Sequence, residues 1–327
     1  MREHPIGIGF AHAKVVLFGE HAVLYGVAAA AIPVKQLTMQ VTASLSAADD
    51  ECWVTFAGPG ALPAVDPRRR ADAPMRVLVS NTLAALGSRH RGVNLVVDCG
   101  IPQARGLGSS AAGARAVVLA LADLLDRHIE PQVCHYLIQS SEQAVHGKSS
   151  GVDAAAVAAS RPILFRDGVA TDLAWGVDAL VVIADSGVAA STQDAVGQLR
   201  RRFEQHPGRQ AEFVDRALRI VRTATDGLAR GDLDAVGRAF TRNHELLRDV
   251  ELSSAALDAL VDSAVAAGSP GAKLTGGGLG GCVLALARDL PQASEIAMAF
   301  RRAGATSTWT VAPGRVLSLP EFDGSRP

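Results

Sequence analysis

A chain of 327 residues exceeds the size at which a single hydrophobic core usually stops growing, which predicts two domains. Hydrophobic residues make up 48% of the chain and charged residues 20%, which is typical of a globular protein and excludes a disordered one. The formal net charge is −1, from 32 basic and 33 acidic residues, so a basic surface for nucleic acid is not indicated. The arginine runs 68–70 and 200–202 contain no aromatic residues, and we assign both to the surface.

The four cysteines predict neither a disulfide framework nor a zinc site. Cys52, Cys99, Cys134 and Cys282 form no CxxC pair and have no histidine at zinc-finger spacing, so buried free thiols are expected. The first residues lack the pattern of a secretion signal, and no apolar run approaches the ~20 residues of a membrane span. We therefore expect a cytoplasmic protein that binds neither a membrane nor nucleic acid.

The predicted elements of the first half mix strands and helices. Period-two alternation predicts strands between Gly7 and about Ser46, and a further strand at 92–100. A loop rich in Pro, Gly and Arg is expected at 58–73, and a helix from about Pro74 to Leu86. Further on, helices are predicted at 109–128, 131–145 and 153–159, followed by a strand at 163–165.

The second half has longer helical stretches. A strand at 179–186 precedes three or four helices between about Thr192 and Ala267. The remaining predicted elements are a strand at 282–287, a helix at about 291–302 and a strand at 305–311. We place the domain boundary near Trp175, giving domains 1–175 and 176–327, and this order of elements favours an α+β fold.

The segment 101–113, IPQARGLGSSAAG, has the composition of a phosphate-binding turn. Gly106 and Gly108 allow the backbone to turn tightly, and a helix N-terminus directly after them offers free N–H groups to an anion. The alternative is that Ser109 or Ser110 only caps that helix. A dinucleotide fingerprint is excluded because six residues separate the preceding strand from the first glycine, and a Walker A sequence is absent.

Two carboxylates flank a glycine-containing turn further along the chain. Glu142 lies late in one helix and Asp153 opens the next, so they could divide magnesium binding and contact with an attacking hydroxyl. Asp153 as a simple helix cap is the alternative. Glu142 and His146 are four residues apart, but no third zinc ligand has a candidate.

Two more segments concentrate polar or glycine residues. A strand that begins near Lys14 ends in the turn Gly19-Glu20-His21, and polar groups at a strand end are often functional. The segment 273–282, KLTGGGLGGC, has five glycines before a buried strand, which indicates close approach of backbone to a ligand or another loop.

These segments, in this order, resemble the GHMP small-molecule kinase superfamily over essentially the whole chain. The lysine strand, the phosphate loop from Pro102 to Ala111 and the C-terminal glycine loop are its three motifs. Within the superfamily, KVVLFGEHAVLYG and the stretch from Glu142 to Ala155 are similar to the mevalonate kinase forms. The resemblance implies a two-domain fold, with an N-terminal α+β domain containing a left-handed crossover and a ferredoxin-like C-terminal domain.

The resemblance also implies site residues, with ATP as co-substrate and Mg²⁺ as cofactor. ATP would bind the loop residues Pro102, Gly106, Leu107, Gly108, Ser109, Ser110 and Ala111. Ser110 and Glu142 would hold Mg²⁺. Asp153 would accept the proton of the mevalonate C5 hydroxyl beside Lys14. Glu20, His21 and Thr275 would contact mevalonate.

The substrate carboxylate is expected to bind an arginine, because a guanidinium can bind a carboxylate through two hydrogen bonds. Arg166, thirteen residues after Asp153, is the predicted residue, and a surface turn arginine is its alternative. The alternative activities are phosphomevalonate kinase, another GHMP kinase, or an inactive regulatory homologue. A homodimer is compatible with the resemblance.

Overall fold

The computed structural model describes residues 6–47, 51–57, 68–90, 92–147 and 149–314. The first domain contains a seven-stranded sheet in which six strands follow the order β4-β3-β5-β2-β6-β7 and β1 pairs with β2. Its elements are β1 (Ile6–Phe18), a short 3₁₀ helix (Ala22–Tyr25), β2 (Ala29–Leu45), β3 (Cys52–Ala57), β4 (Arg68–Arg70), α1 (Ala73–Ala85), β5 (Val93–Cys99), α2 (Ser109–Leu124), α3 (Pro131–His146), α4 (Val152–Ala156), β6 (Ile163–Arg166) and β7 (Val169–Asp172).

The second domain is a four-stranded antiparallel sheet with the order β11-β8-β10-β9. Its elements are β8 (Leu180–Asp185), α5 (Thr192–Gln205), α6 (Pro207–Arg230), α7 (Leu233–Asp249), α8 (Ala255–Ala266), β9 (Ala272–Leu274), β10 (Cys282–Ala287), α9 (Leu290–Arg302) and β11 (Ser307–Val311). The four helices between the first two strands form one β-α-β crossover. The strand order by sequence is 4-1-3-2, so the expected ferredoxin-like layer is confirmed.

Helix α2 lies unusually close to β1, and this contact positions the glycine turn before the helix. A Cβ on Gly7 would lie 2.1 Å from the Ala120 carbonyl oxygen, and one on Gly9 would lie 2.0 Å from that of Ala116. The facing side of α2 is built mainly from buried alanines, which leave room for the strand. The N-terminus of α2 is thereby held beside the middle of β1.

Short strands are where the structure departs most from the sequence prediction. Arg68–Arg70, assigned to a loop, form β4 and pair antiparallel with β3, while residues 58–67 of that loop lie outside the described residues. Arg69 lies over the Phe56 ring, with Cζ 4.7 Å from the ring centroid. Strands β3, β7 and β9, of three to six residues each, were also not predicted.

The cysteines and the domain boundary can be compared with the prediction directly. All four cysteines are free thiols as expected, with Cys99 only partly buried. Burial raises the pKa of the Cys52 thiol to about 11, which makes it unreactive near neutral pH. The last strand of the first sheet ends at Asp172 and the first strand of the second sheet begins at Leu180, so Trp175 lies in the connection between them. The domain boundary near Trp175 itself stays a prediction. In the part of the chain that the structure describes, no helix is long and apolar enough to cross a membrane.

Candidate active site

A cavity of about 700 Å³ lies between the two domains and collects most of the predicted site residues. The first domain contributes the turn after β1, the loop before α2, and parts of α1 to α4. The second domain contributes residues 190–193 at the start of α5 and Gly276 and Gly277 of the glycine loop. The predicted residues that line it are Lys14, Glu20, His21, Gly106, Gly108, Ser109, Ser110, Glu142 and Asp153.

Lys14 and Asp153 form an ion pair at the cavity wall. The Lys14 Nζ is 2.9 Å from the Asp153 Oδ1, and it also donates a hydrogen bond of 3.2 Å to the Gly106 carbonyl oxygen. The Lys14 side chain is 3% exposed, whereas that of Asp153 is 32% exposed. A molecule in the cavity can therefore reach Asp153, while Lys14 is buried and held by the Gly106 carbonyl oxygen.

The glycine turn before α2 is held by hydrogen bonds to Lys14. The Lys14 backbone N–H donates to the Leu107 carbonyl oxygen at 3.0 Å. Gly108 caps α2 with φ +73°, and a Cβ there would lie 2.8 Å from the Lys14 Cε, so this position requires glycine for both conformation and space. The turn consequently directs the first N–H groups of a 16-residue helix toward the cavity.

Three predicted members of the nucleotide loop do not reach the cavity. Leu107 and Ala111 are buried in the hydrophobic core, and Pro102 does not line the cavity either. The side chains of Leu107 and Ala111 pack in the core and so anchor the loop on the side away from the cavity. The residues that face the cavity are Gly106, Gly108, Ser109 and Ser110.

Glu142 is a buried carboxylate on α3 that lines the same cavity as Ser110. Its oxygen atoms and a serine hydroxyl are the hard ligands that Mg²⁺ prefers. Among the described residues, no group of three or more His, Cys, Asp or Glu side chains could hold a metal ion. A magnesium site completed by phosphate oxygens fits the donor set of Glu142 and Ser110.

Glu20 lies at the cavity, but both of its carboxylate oxygens are occupied by the second domain. Oε1 is in contact with the Lys273 ammonium, and Oε2 accepts a hydrogen bond of 3.1 Å from the Asn243 side chain. Substrate contact through the carboxylate was predicted from the sequence. The structure instead places these oxygens in a buried contact between domains.

His21 has one ring nitrogen engaged. Its Nε2 donates to the Gly277 carbonyl oxygen at 2.9 Å, so Nδ1 is left as an acceptor, and it has no hydrogen-bond partner among the described residues. Burial is the main cause that lowers the pKa of His21, and the Gly277 carbonyl and the Glu20 carboxylate oppose it. The ring is therefore neutral near pH 7 and suited to accept a hydrogen bond from a hydroxyl.

Thr275 and Arg166 are the two predicted substrate residues that do not line the cavity. The Thr275 hydroxyl donates to the Val16 carbonyl oxygen at 2.7 Å and also accepts from the Val16 N–H, so it connects the glycine loop to β1. Arg166 is 67% exposed in a hairpin turn, 3.4 Å from Asp167. The turn directs this side chain to solvent, a position that does not favour contact with a ligand in the cavity, and its assignment to the substrate carboxylate stays a prediction.

The sequence prediction also missed part of the lining. An apolar wall contains Met39, Phe56, Met75 and Leu78, on β2, β3 and α1. No local pattern marks these residues, because apolar side chains in strands and helices are usually core. Lys273 does not line the cavity, and the sequence analysis did not select this fully buried lysine, which stands at the start of the glycine segment 273–282.

Comparison with known proteins agrees with this geometry. Residues 75–161 match the GHMP kinases N terminal domain, and residues 224–306 match the GHMP kinases C terminal domain. The fold and the cavity are those of a small-molecule kinase, and the chain belongs to the GHMP kinase family. The predicted resemblance is thus confirmed.

The similar proteins share a more specific description. A mevalonate kinase of Pyrococcus horikoshii is 31% identical, over 90% of this chain and 92% of the relative. A mevalonate kinase of Pyrococcus furiosus is 29% identical, over 96% of this chain and 98% of the relative. The crystal structure of L. major mevalonate kinase in complex with R-mevalonate has a TM-score of 0.77 and 25% identity, covering 96% of this chain and 97% of that chain.

Proposed function

We propose that the protein is a mevalonate kinase, which transfers the γ-phosphoryl group of ATP to the C5 hydroxyl of mevalonate. The observation that carries the proposal is the Lys14–Asp153 pair, which faces the same cavity as the glycine turn before α2. A cation, an accessible carboxylate and a helix N-terminus in one cleft provide the positioning and charge neutralisation that phosphoryl transfer requires. The named relatives supply the choice of alcohol.

The reaction can be written with the residues of the cavity. The C5 oxygen forms a bond to the γ-phosphorus as the bond from that phosphorus to the β,γ-bridging oxygen breaks, and ADP leaves. Asp153 accepts the hydroxyl proton, and Lys14 stabilises the negative charge near the transferring group. Lys14 also orients Asp153, because it is itself held by the Gly106 carbonyl oxygen.

The phosphates of ATP are assigned to the turn at Gly106–Ser110 and the start of α2. Ser110 and Glu142 would hold Mg²⁺, which supplies charge neutralisation on the β- and γ-phosphates when it is bound. The apolar wall of Met39, Phe56, Met75 and Leu78 adjoins this turn and offers a surface for a flat base. These roles follow from placement and chemistry.

For mevalonate, His21 is the side chain assigned to a hydroxyl group, through its buried Nδ1. Thr275 acts on the site by holding the glycine loop against β1, and Glu20 acts through the turn that carries His21. Location in the cytoplasm and association as a homodimer stay predictions.

Phosphomevalonate kinase is the second candidate activity, and one feature of the cavity disfavours it. Among the cavity-lining residues that the structure describes, Lys14 is the one Lys or Arg, and Asp153 already pairs with it. The phosphate that phosphomevalonate carries in addition to its carboxylate would require additional cations in the cleft. The electrostatics therefore favour the substrate that carries only a carboxylate.

The test compares three acids as phosphoryl acceptors. The purified protein is incubated with ATP, Mg²⁺ and mevalonate, phosphomevalonate or diphosphomevalonate, and ³¹P NMR identifies the products. We expect a phosphomonoester from mevalonate and no turnover of the other two. Turnover of phosphomevalonate alone would reverse the assignment, and the Asp153→Asn variant controls for contaminating kinases.

A further inference from the structure

Lys273 is a charged side chain with no exposed surface and no role in the chemistry described above. It lies in the middle of β9, in the second domain, and its Nζ contacts the Glu20 Oε1 of the first domain. The same Nζ is 6.0 Å from the centroid of the Phe240 ring on α7. A buried ammonium is unfavourable unless its partners are well placed, so such a lysine indicates a specific requirement.

Asn243 completes the contact from a second element. It lies on α7 and donates to the other Glu20 oxygen at 3.1 Å. The Glu20 side chain is only 1% exposed. Both oxygens of a first-domain carboxylate are therefore held by two different elements of the second domain, which fixes the carboxylate in position and in rotation.

The backbone next to this contact is in a conformation that needs support. His21 has φ +55°, in the left-handed region that residues other than glycine rarely adopt. Such a conformation persists where surrounding contacts determine it, and it is common at functional sites. Two sets of contacts support this conformation. Lys273 and Asn243 hold the side chain of Glu20, the residue before His21, and the Gly277 carbonyl oxygen holds the His21 ring.

We propose that Lys273 and Asn243 are positioning residues for the alcohol substrate: they hold Glu20, and through it they keep His21 directed at the substrate end of the cavity. The proposal rests on the proposed function, since it assigns the substrate of that same site. It gives Glu20 a role different from direct substrate contact. It also makes the substrate end of the site dependent on both domains being in place.

The kinetic test uses Lys273→Met and Asn243→Ala. We expect each variant to raise the KM for mevalonate at least tenfold while the KM for ATP changes less than twofold, because the phosphate turn is not connected to Glu20. Asn243→Ala leaves the ion pair intact, so it gives the same test if Lys273→Met does not fold. Glu20→Gln should resemble Lys273→Met.

The matched control is Asp258→Asn in the same domain. Asp258 accepts hydrogen bonds from His244 and Ser253 and does not touch Glu20, although His244 directly follows Asn243 in the chain. We expect this variant to lose stability with both KM values unchanged. If Lys273→Met and Asn243→Ala behave in the same way, with a lower melting temperature and an unchanged mevalonate KM, the positioning role is wrong.

A substrate-independent readout separates this proposal from the proposed function. In ¹⁵N-histidine-labelled protein, the ring nitrogens of His21, assigned with His21→Gln, should report a fixed Nε2–H tautomer. We expect these shifts to change in Lys273→Met and Asn243→Ala but not in Asp258→Asn. If the wild-type protein does not phosphorylate mevalonate yet the shifts move as expected, the function is wrong and the positioning stands; unmoved shifts overturn the positioning.

Discussion

Two lysine–carboxylate pairs have their carboxylates on the same cavity, and the pairs differ in how far water can reach them. In the Lys14–Asp153 pair the carboxylate is 32% exposed, and in the Lys273–Glu20 pair the two side chains are 0% and 1% exposed. The first pair joins elements of one domain, whereas the second joins two domains. Our proposals therefore assign the same two functional groups to chemistry in one place and to positioning in the other.

The difference follows from what each carboxylate can still contact. Asp153 retains a free approach from the cavity, so it can exchange a proton with a bound alcohol. Glu20 has both oxygens occupied by Lys273 and Asn243 and cannot approach a ligand without losing them. Residue type and nearness to the cavity do not separate a catalytic carboxylate from a positioning one, but the occupancy of its oxygens does.

The largest expected effect is on kcat, when the exposed carboxylate of the Lys14–Asp153 pair is changed. Asp153→Asn removes the proton acceptor while keeping size and location, and we expect kcat to fall about 100-fold or more, as for other general bases. ATP binding, measured by calorimetry, should stay nearly unchanged because the lost interaction belongs to the transition state. A variant that kept more than about a tenth of the wild-type kcat, a barrier difference of ~1.4 kcal/mol, would remove Asp153 from this role.

The two lysines should separate activity from stability. Lys273→Met leaves a buried carboxylate without its cation, and we expect the free energy of unfolding to fall by about 3–5 kcal/mol. Lys14→Met leaves Asp153 in contact with solvent, so the expected loss is only about 1 kcal/mol, with kcat reduced about 100-fold. Urea denaturation and steady-state kinetics on both variants measure this, and equal stability losses would contradict the comparison.

Glu142 extends the comparison to a further carboxylate of the cavity, which is buried as Glu20 is. If it holds Mg²⁺ with Ser110, Glu142→Gln and Ser110→Ala should each raise the magnesium concentration for half-maximal activity, by about tenfold for Glu142→Gln. Magnesium titrations at saturating ATP and mevalonate provide the measurement. Ser109→Ala is the matched control, and a curve for Glu142→Gln that overlays the wild type would place the ligand elsewhere.

The neutral His21 beside the buried pair gives a pH prediction. Because burial lowers the pKa of His21 below the ordinary value of 6.5, the unfolded chain binds a proton more readily than the folded protein. The neutral, buried His21 therefore contributes stability that is fully present above pH 6.5. This contribution is lost as the pH falls from 6.5 through the lower pKa that His21 has in the folded protein. His21→Gln should therefore lose less stability than the wild type between pH 7 and 5 in urea denaturation, and an equal loss in both proteins would contradict the prediction.

The smallest expected effect concerns Arg166. Since its side chain is exposed and pairs with the neighbouring Asp167, Arg166→Met should change the mevalonate KM less than twofold. If Arg166 instead bound the substrate carboxylate, the mevalonate KM would rise at least tenfold, so steady-state kinetics distinguish the two cases. A large rise would mean that the β6–β7 turn moves toward the cavity when mevalonate binds.

Helices and long strands were predictable because their signals are local. Helices α2 and α3 follow from a glycine or proline start and sustained apolar periodicity, and β5 follows from a dense run of valine and leucine. Strand β4 was missed, because three arginines become a strand only through pairing with β3 and through the Phe56 and Trp53 rings. The three arginines themselves show no strand pattern, because the pairing depends on residues of β3 on the other side of the intervening segment.

The sequence by itself was sufficient to select part of the cavity lining. Lys14, the glycine turn, Glu142 and Asp153 belong to motifs that could be recognised from local sequence, and all of them line the cavity. Only the tertiary structure decided what each side chain can do there: that Asp153 stays open, that Glu20 is held by Lys273 and Asn243, and that Arg166 turns to solvent. The physical reason is that accessibility and pairing depend on elements far apart in the chain, which meet only when the domains pack.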